Sequence, residues 1–387
     1  MYNTILSEKI ENVKYKYKMK IAIVHDWLTN FAGAENCIQA LCELYPSAPV
    51  YTSVYNKTKM FKVFDKTEIK TSFIQNLPFS KTKHQIYLIL MPMAFENFDL
   101  SEFDIVISSS HACSKGVITK PETLHISYIY TPIRYFWSHY HEYKDNGQFL
   151  NLKKLILPPM TSYLRMWDKM AMDRPDTLAC ISKHVANRIE KYYRKKAKVI
   201  YPPVNTSKFQ IAKNPSLDYF LMLGRLIPYK KFDLAIETFN KMGLPLKIVG
   251  MGSEYSKLKK MAKNNIEFLG YLPNEEIGKL YSNCQALIFP GEEDFGIVPL
   301  EVQASGRPVI AYEKGGATET VLEYKTGLFF REQNVSSLEE TIISFKKREF
   351  IPERIRENAL KFDVSNFKKN FSNFVSEEYK LFSSKQL

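Results

Sequence analysis

No apolar run in this 387-residue chain reaches the roughly eighteen residues that a membrane-crossing helix needs. The opening stretch MYNTILSEKIENVKYKYKMK lacks the apolar core of a secretory signal. Residues 1–18 therefore read as a loose basic extension, with Met19 an alternative start. Cysteine is scarce, odd in number and scattered (Cys37, Cys42, Cys113, Cys180, Cys284), with no CxxC and no Cys/His cluster. That excludes a disulfide framework and a structural zinc site, and the five read as buried thiols of a cytoplasmic protein. No Asp-x-Asp pair stands at a strand end, so no divalent-metal site is expected. A recognised nucleic-acid motif is missing too, although the net charge is +13. The lysines are spread along the chain rather than gathered on one element. The charge instead favours small anions such as phosphates, or an acidic membrane face.

What is present is a large stock of core residues: 45% hydrophobic and 14% aromatic. At this length that implies two domains. Strand and helix signals alternate. Strands are predicted at 20–25, 50–54, 103–108, 124–130, 177–181 and 198–201, with helices at 33–45 and 182–193. After Pro202-Pro203 a second series begins. Its strands are predicted at 219–223, 245–249, 266–269, 286–289 and 308–311, and its helices at 232–242, 254–262, 274–282, 298–304 and 317–323. A last helix is predicted at 364–382. Such alternation gives α/β domains, parallel sheets covered on both faces and wound in two directions, with ligands at the carboxyl ends of the strands. Residues 79–95 (FSKTKHQIYLILMPMAF) set Lys81 and Lys83 before an apolar stretch. A buried core helix is expected there, a membrane-surface helix being the alternative.

The chemistry gathers in PGEEDFGIVPLEVQASGRPVIAY, where Glu293 and Glu301 are separated by seven residues. A buried strand breaks at Pro290-Gly291 into an acidic loop, and Phe295-Gly296-Ile297 then opens a helix. The free N–H groups of Gly296, Ile297 and Val298 suit an anion. Glu293 stands at the mouth of that helix and Glu301 about a turn inside it. The segment Gly224-Arg225-Leu226-Ile227-Pro228-Tyr229-Lys230-Lys231 follows another strand. Gly224 lets backbone approach a ligand, while Arg225 and Lys230 supply two cations for a leaving diphosphate. Gly250, in Gly250-Met251-Gly252, and Leu269 close two further strands.

In the first series, Gly33 opens a helix and could bring amides to a phosphate. His111 ends a strand and could orient a sugar hydroxyl. Tyr130, Arg134 and the aromatics after them offer stacking faces and a cation for an acceptor.

These segments resemble glycosyltransferase family 4, with its two glutamates spaced by seven and its Gly-Arg-Leu-x-Pro-x-Lys stretch. They are most similar to the bacterial polysaccharide mannosyltransferase-like branch. Two departures stand out: Lys231 where the family often has glycine, and Tyr130 where the branch often has histidine before Thr-Pro. The resemblance covers nearly all of residues 19–380. It implies a GT-B fold, two Rossmann-like domains facing a cleft: 19–200 for the acceptor, 201–363 for the donor, and a helix at 364–387 crossing back. It further implies retaining, metal-independent transfer of a hexose, mannose among the candidates, from a GDP- or UDP-linked donor to a glycan or lipid-linked acceptor. Glu293, His111, Arg225 and Lys230 take the catalytic roles. Gly33, Gly224, Gly250, Leu269, Glu293, Phe295, Gly296, Ile297, Val298 and Glu301 join the two cations around the donor. Arg134 and Tyr130 meet the acceptor. A nucleotide-sugar epimerase and a non-catalytic sugar-nucleotide binder stay open as alternatives.

Overall fold

The computed structural model describes residues 19–30, 33–60, 63–134, 136–137 and 151–385, with only the backbone course given for 151–157 and Asn274. The basic extension at 1–18, Phe31, Ala32 and Tyr135 lie outside them. The chain forms two compact units. Unit 1 comprises residues 1–179, 189–198 and 372–387, and unit 2 comprises 180–188 and 199–371. The boundary thus falls inside two helices, Lys183–Tyr193 and Val364–Lys385, as well as near the break read at residue 200.

Unit 1 is built on a seven-stranded sheet. Its strands are β1 (Ile21–His25), β2 (Val50–Thr52), β3 (Ile69–Thr71), β4 (Ile105–Ser110), β5 (Leu124–Ile129), β6 (Thr177–Cys180) and β7 (Lys198–Val199), in the order β3-β2-β1-β4-β5-β6-β7. β1 pairs in parallel with both β2 and β4, so the winding reverses between β1 and β4. β4 and β5 are buried along their whole length although they carry serines and a histidine. Some of those polar groups pair across the strands: Ser108 Oγ lies 2.9 Å from His125 Nε2 and donates to Ser127 Oγ at 2.8 Å.

Unit 2 repeats the plan. Its strands are β8 (Phe220–Leu223), β9 (Leu246–Val249), β10 (Ile266–Gly270), β11 (Leu287–Phe289), β12 (Val309–Tyr312) and β13 (Gly327–Phe330), ordered β10-β9-β8-β11-β12-β13. β8 pairs in parallel with β9 and β11, so this sheet reverses between β8 and β11. Phe220, Ile248, Ile288, Ile310 and Phe330 from the strands pack with Phe239 of the helix Phe232–Met242 in one core. The expected α/β, doubly wound parallel architecture is thus observed in each unit. β3 and β13 lie at the edges and were not foreseen, nor were the helices Asn151–Ala171, Val335–Phe345 and Pro352–Leu360.

The expected buried helix over 79–95 does not form. The segment is broken into the turn Ser80–Lys83, a 3₁₀ stretch His84–Leu90 and the short helix Met91–Glu96. Phe79 begins it in the left-handed region (φ 57°), and Pro92 fits only the first turn of a new helix. Ile86, Ile89 and Met93 are consequently exposed. The predicted helix at 317–323 is also shorter, Ala317–Thr320, because Val321 turns to extended backbone.

Two buried histidines make unit 1 sensitive to acid. Burial pushes His125 down to about 3 and His84 to about 4, with the His111 charge adding to the shift at His84. Both are neutral in the fold and both titrate near 6.5 when unfolded. Their contribution is complete above pH 6.5 and is lost as pH falls toward the folded values. The expected loss is about 1.4 kcal/mol per pH unit for each proton taken up on unfolding. Urea titrations of unit 1 between pH 7 and 4.5 check this, and a flat stability over that window contradicts it.

Candidate active site

The reversal between β8 and β11 gathers four loops at the carboxyl end of the sheet. The loop after β8 runs from Gly224 to the 3₁₀ turn Pro228–Lys230. This turn directs Lys230 across to the acidic loop after β11, where its Nζ meets Glu293 Oε1 at 2.6 Å. The two side chains are only 13% and 19% exposed, so the pair is largely shielded from water. Lys230, not Lys231, is the lysine that pairs with Glu293. Lys231 holds a left-handed conformation (φ 56°, ψ 41°), which is why glycine suits that position and why lysine is strained there. Arg225 shares the loop; its guanidinium is exposed, with no hydrogen bond or ion pair to the described residues.

The other loops close on these two at backbone distance. A Cβ on Gly250 (φ 135°), after β9, would stand 1.9 Å from the Gly224 carbonyl oxygen. A Cβ on Gly316, after β12, would stand 2.2 Å from Phe295 Cα. Gly316 N donates to the Glu293 carbonyl at 2.8 Å, and Gln333 Nε2 to the Pro290 carbonyl at 2.8 Å. The acidic loop is also held from behind. Ser182 Oγ donates to the Asp294 carbonyl at 2.6 Å, and Arg188 pairs with the Asp294 carboxylate. Phe295 turns inward: it is 3% exposed and stacks on Tyr201 at 5.6 Å. Only its backbone is available to a donor, which corrects any side-chain role for it.

Gly296 (φ 97°) leads into the helix Ile297–Ala304. The N–H groups of its first turn have no partner within the helix. Glu301, in the second turn, accepts a hydrogen bond from the Tyr281 hydroxyl at 2.9 Å. Burial pushes its carboxyl up to about 7, against the opposing pull of Tyr281 and the Lys208 charge. At the end of β10 the register shifts so that Gly270, not Leu269, pairs with Val249. Leu269 is the bulged residue, and a bulge leaves peptide groups outside the ladder.

In unit 1, His111 follows β4 at the reversal point and lies 3.2 Å from Asp26. Asp26 is fully buried and accepts hydrogen bonds from the backbone N–H of His111, Ala112, Cys113 and Ser114 at 2.6–2.9 Å. Burial alone would raise its pKa, but His111, His25 and these amides outweigh it and hold the carboxylate below its ordinary range. His111 itself is driven down, mainly by burial. Trp27 packs against both His84 (4.6 Å) and His111 (4.5 Å). Gly33 is the first residue of the helix Gly33–Leu44.

The acceptor assignment needs correction. Tyr130 is 8% exposed and its hydroxyl is spent on Ser109 Oγ and the Ala34 carbonyl. Phe136 belongs to the core, and Trp137 stacks on Tyr192 and donates to Asp168 at 2.7 Å. These aromatics pack unit 1 rather than present faces to a sugar. Arg134 is half-buried and engaged.

Residues 204–362, all within unit 2, match the family described as Glycosyl transferases group 1. An uncharacterized glycosyltransferase of Methanocaldococcus jannaschii is 28% identical over 307 residues, covering 77% of this chain and 82% of that protein. The O-antigen chain mannosyltransferase RfbU of Salmonella typhimurium is 29% identical, over 56% of this chain and 64% of its own length. A GDP-mannose-dependent phosphatidylinositol monomannoside mannosyltransferase of Mycobacterium tuberculosis is 26% identical over 48% and 56%. Among solved structures, sucrose-phosphate synthase from Thermosynechococcus elongatus superposes with a TM-score of 0.70 at 13% identity, over 94% of this chain and all of that one. HepE of Anabaena, in complex with UDP and glucose, gives 0.66 at 16% over 93% and 100%. The doubly wound units and these neighbours define a GT-B fold. The chain carries a glycosyltransferase group 1 domain and is a glycosyltransferase.

Two substitutions check how the loops are held. Lys231→Gly relieves the left-handed strain and should stabilise unit 2 by about 1 kcal/mol. Gly250→Ala forces the loops after β8 and β9 apart and should cost about 2–3 kcal/mol. Urea midpoints of the two variants decide, and the opposite sign for either contradicts the geometry.

Proposed function

We propose that this glycosyltransferase moves a hexose, mannose by preference, from a nucleoside-diphosphate donor to a growing polysaccharide or lipid-linked glycan, with retention and without a metal ion. The observation that carries this reading is Lys230 facing Glu293 across the reversal of the unit 2 sheet. In this reading Lys230, Arg225 and the amides at Gly296, Ile297 and Val298 take the negative charge that grows on the leaving diphosphate. Gly224 and Gly250 allow that approach, and the bulge at Leu269 offers backbone to the base. Glu301 accepts from the ribose hydroxyls. Glu293 holds the donor sugar and supports its positive ring. The acceptor hydroxyl enters on the leaving-group face and passes its proton to the departing phosphate. Gly33 is assigned to the phosphate, His111 to the sugar hydroxyls, and Arg134 to the acceptor.

A peripheral contact with an acidic membrane belongs to the same reading. Among the described residues no helix is long and apolar enough to cross a bilayer. Residues 69–95 contain no aspartate or glutamate. They expose Phe79, Ile86, Ile89 and Met93 beside Lys81 and Lys83, a combination suited to an anionic interface.

A thermal-shift screen with GDP, UDP and ADP, followed by the matching sugar nucleotides in EDTA, tests the donor class. Product analysis must show a new glycosidic bond rather than an epimer. Lys230→Ala and Arg225→Ala should each lower turnover about a hundredfold or more, the usual cost of losing one electrostatic donor. Near-normal turnover in both contradicts the assignment. Binding of the nucleoside diphosphate should strengthen as pH rises through about 7, where Glu301 becomes the carboxylate that ribose hydroxyls need. Tyr281→Phe, which removes a donor to that carboxylate, should move the midpoint upward. A pH-independent affinity in the parent chain would count against a ribose role.

A further inference from the structure

Unit 1 encloses a second pair of charges beside the turn that carries His111. Asp168, on the helix Asn151–Ala171, is fully buried, and Lys115 is only 3% exposed. Lys115 Nζ stands 2.5 Å from Asp168 Oδ1. The other carboxylate oxygen accepts from Trp137 Nε1 at 2.7 Å and from the Tyr193 hydroxyl at 2.6 Å. All four residues belong to unit 1.

Lys115 also donates to the Ala112 carbonyl at 2.5 Å. Ala112 follows His111, so this bond holds the turn from its carbonyl side. Asp26 holds it from the amide side, through the N–H groups of His111, Ala112, Cys113 and Ser114. The helix Asn151–Ala171 closes on the same turn at backbone distance: a Cβ on Gly116 would stand 2.4 Å from Trp167 Cζ2. That helix reaches the loop after β5 as well. Arg165 donates to the Phe136 carbonyl from Nε at 3.0 Å and from Nη2 at 2.6 Å, next to the bond from Trp137 to Asp168. One carboxylate thus ties together the loops after β4 and β5, which carry His111 and Arg134.

Stability does not account for this arrangement. Desolvation offsets most of the attraction in an enclosed ion pair, and apolar residues of similar volume fill such a space as well or better. A fully satisfied polar network instead confines its members to one geometry.

We propose that Lys115 and Asp168 are positioning residues for glycosyl transfer: they fix the carbonyl side of the turn after β4 and so set where His111 stands. Their bearing on transfer rests on the reading of His111 as the residue that meets the donor sugar; the anchor itself stands on the contacts alone. Neither residue touches substrate.

Removing one charge leaves the other enclosed and uncompensated, which endangers the fold. The double variant Lys115→Met/Asp168→Asn removes both, keeps the volume and leaves an acceptor for Trp137 and Tyr193. Tyr193→Phe is a milder variant that removes one donor and no charge. Hydrogen–deuterium exchange of the full chain reads the anchor. Amides 111–114 should exchange about tenfold or more faster in the double variant and about twofold faster in Tyr193→Phe, while the helix Ile297–Ala304 keeps its parental rate. Turnover of the double variant should fall about tenfold or more, with affinity for the nucleoside diphosphate within about twofold of the parent. Ile126→Val, which trims the buried strand β5 instead of the turn, should leave turnover per folded molecule unchanged. Parental exchange at 111–114 in both folded variants overturns the proposal, and so does faster exchange spread evenly over unit 1. Faster exchange confined to 111–114 with parental turnover upholds the anchor and overturns the role given to His111, so the two readings fail separately.

Discussion

The contact on which the site depends is the ion pair between Lys230 and Glu293, 2.6 Å long and mostly shielded from solvent. It joins the loop after β8 to the loop after β11, the two strands between which the unit 2 sheet reverses direction. Enclosed pairs of this kind are weak evidence for stability, since desolvation offsets most of the attraction. Removing one partner is a different matter, because it leaves the other charge enclosed and uncompensated. The pair is therefore better understood as a positioned charge. In the proposed reading, a diphosphate beside Lys230 offers the ammonium a second anion and releases Glu293 toward the sugar it carries.

The rest of unit 2 keeps that pair in place. The glycines after β9 and β12 bring the neighbouring loops to backbone contact. The Asp294 clamp by Ser182 and Arg188 fixes the acidic loop from behind. Tyr281 keeps a donor on Glu301 inside the helix. In unit 1 a single buried carboxylate does comparable work: Asp26 gathers four successive amides and so fixes the turn that presents His111. Both units thus organise their reversal point with enclosed charge rather than with apolar packing alone.

Much of this was legible in the chain. Uninterrupted apolar strands such as those at Ile21–His25 and Leu287–Phe289 and amphipathic helices such as Phe232–Met242 announce themselves by periodicity, and their spacing announces a doubly wound fold. The Gly-Arg-Leu-Ile-Pro-Tyr-Lys stretch pointed to Lys230 by its register against the Gly-Arg-Leu-x-Pro-x-Lys pattern it resembles. What was hidden depends on contacts between distant residues. Nothing near Asp26 in sequence reveals that it will meet the amides of 111–114, and nothing near Asp294 reveals Arg188. Tyr130 and Trp137 looked like sugar-stacking faces because an aromatic residue carries no mark of which side it will show. The helix Asn151–Ala171 contains Pro158 and Pro159, residues that ordinarily end helices, and so gave no local signal. The edge strand β3, three residues long, is too short for any periodicity to show.

The most direct test of the central contact is the ³¹P spectrum of GDP, or of UDP if that binds better, added to the full chain and to its Lys230→Ala variant. The β-phosphate resonance should shift and broaden with the parent chain and return close to its free position with the variant. An equal shift in both proteins, or none in either at saturating ligand, would contradict a diphosphate held by Lys230.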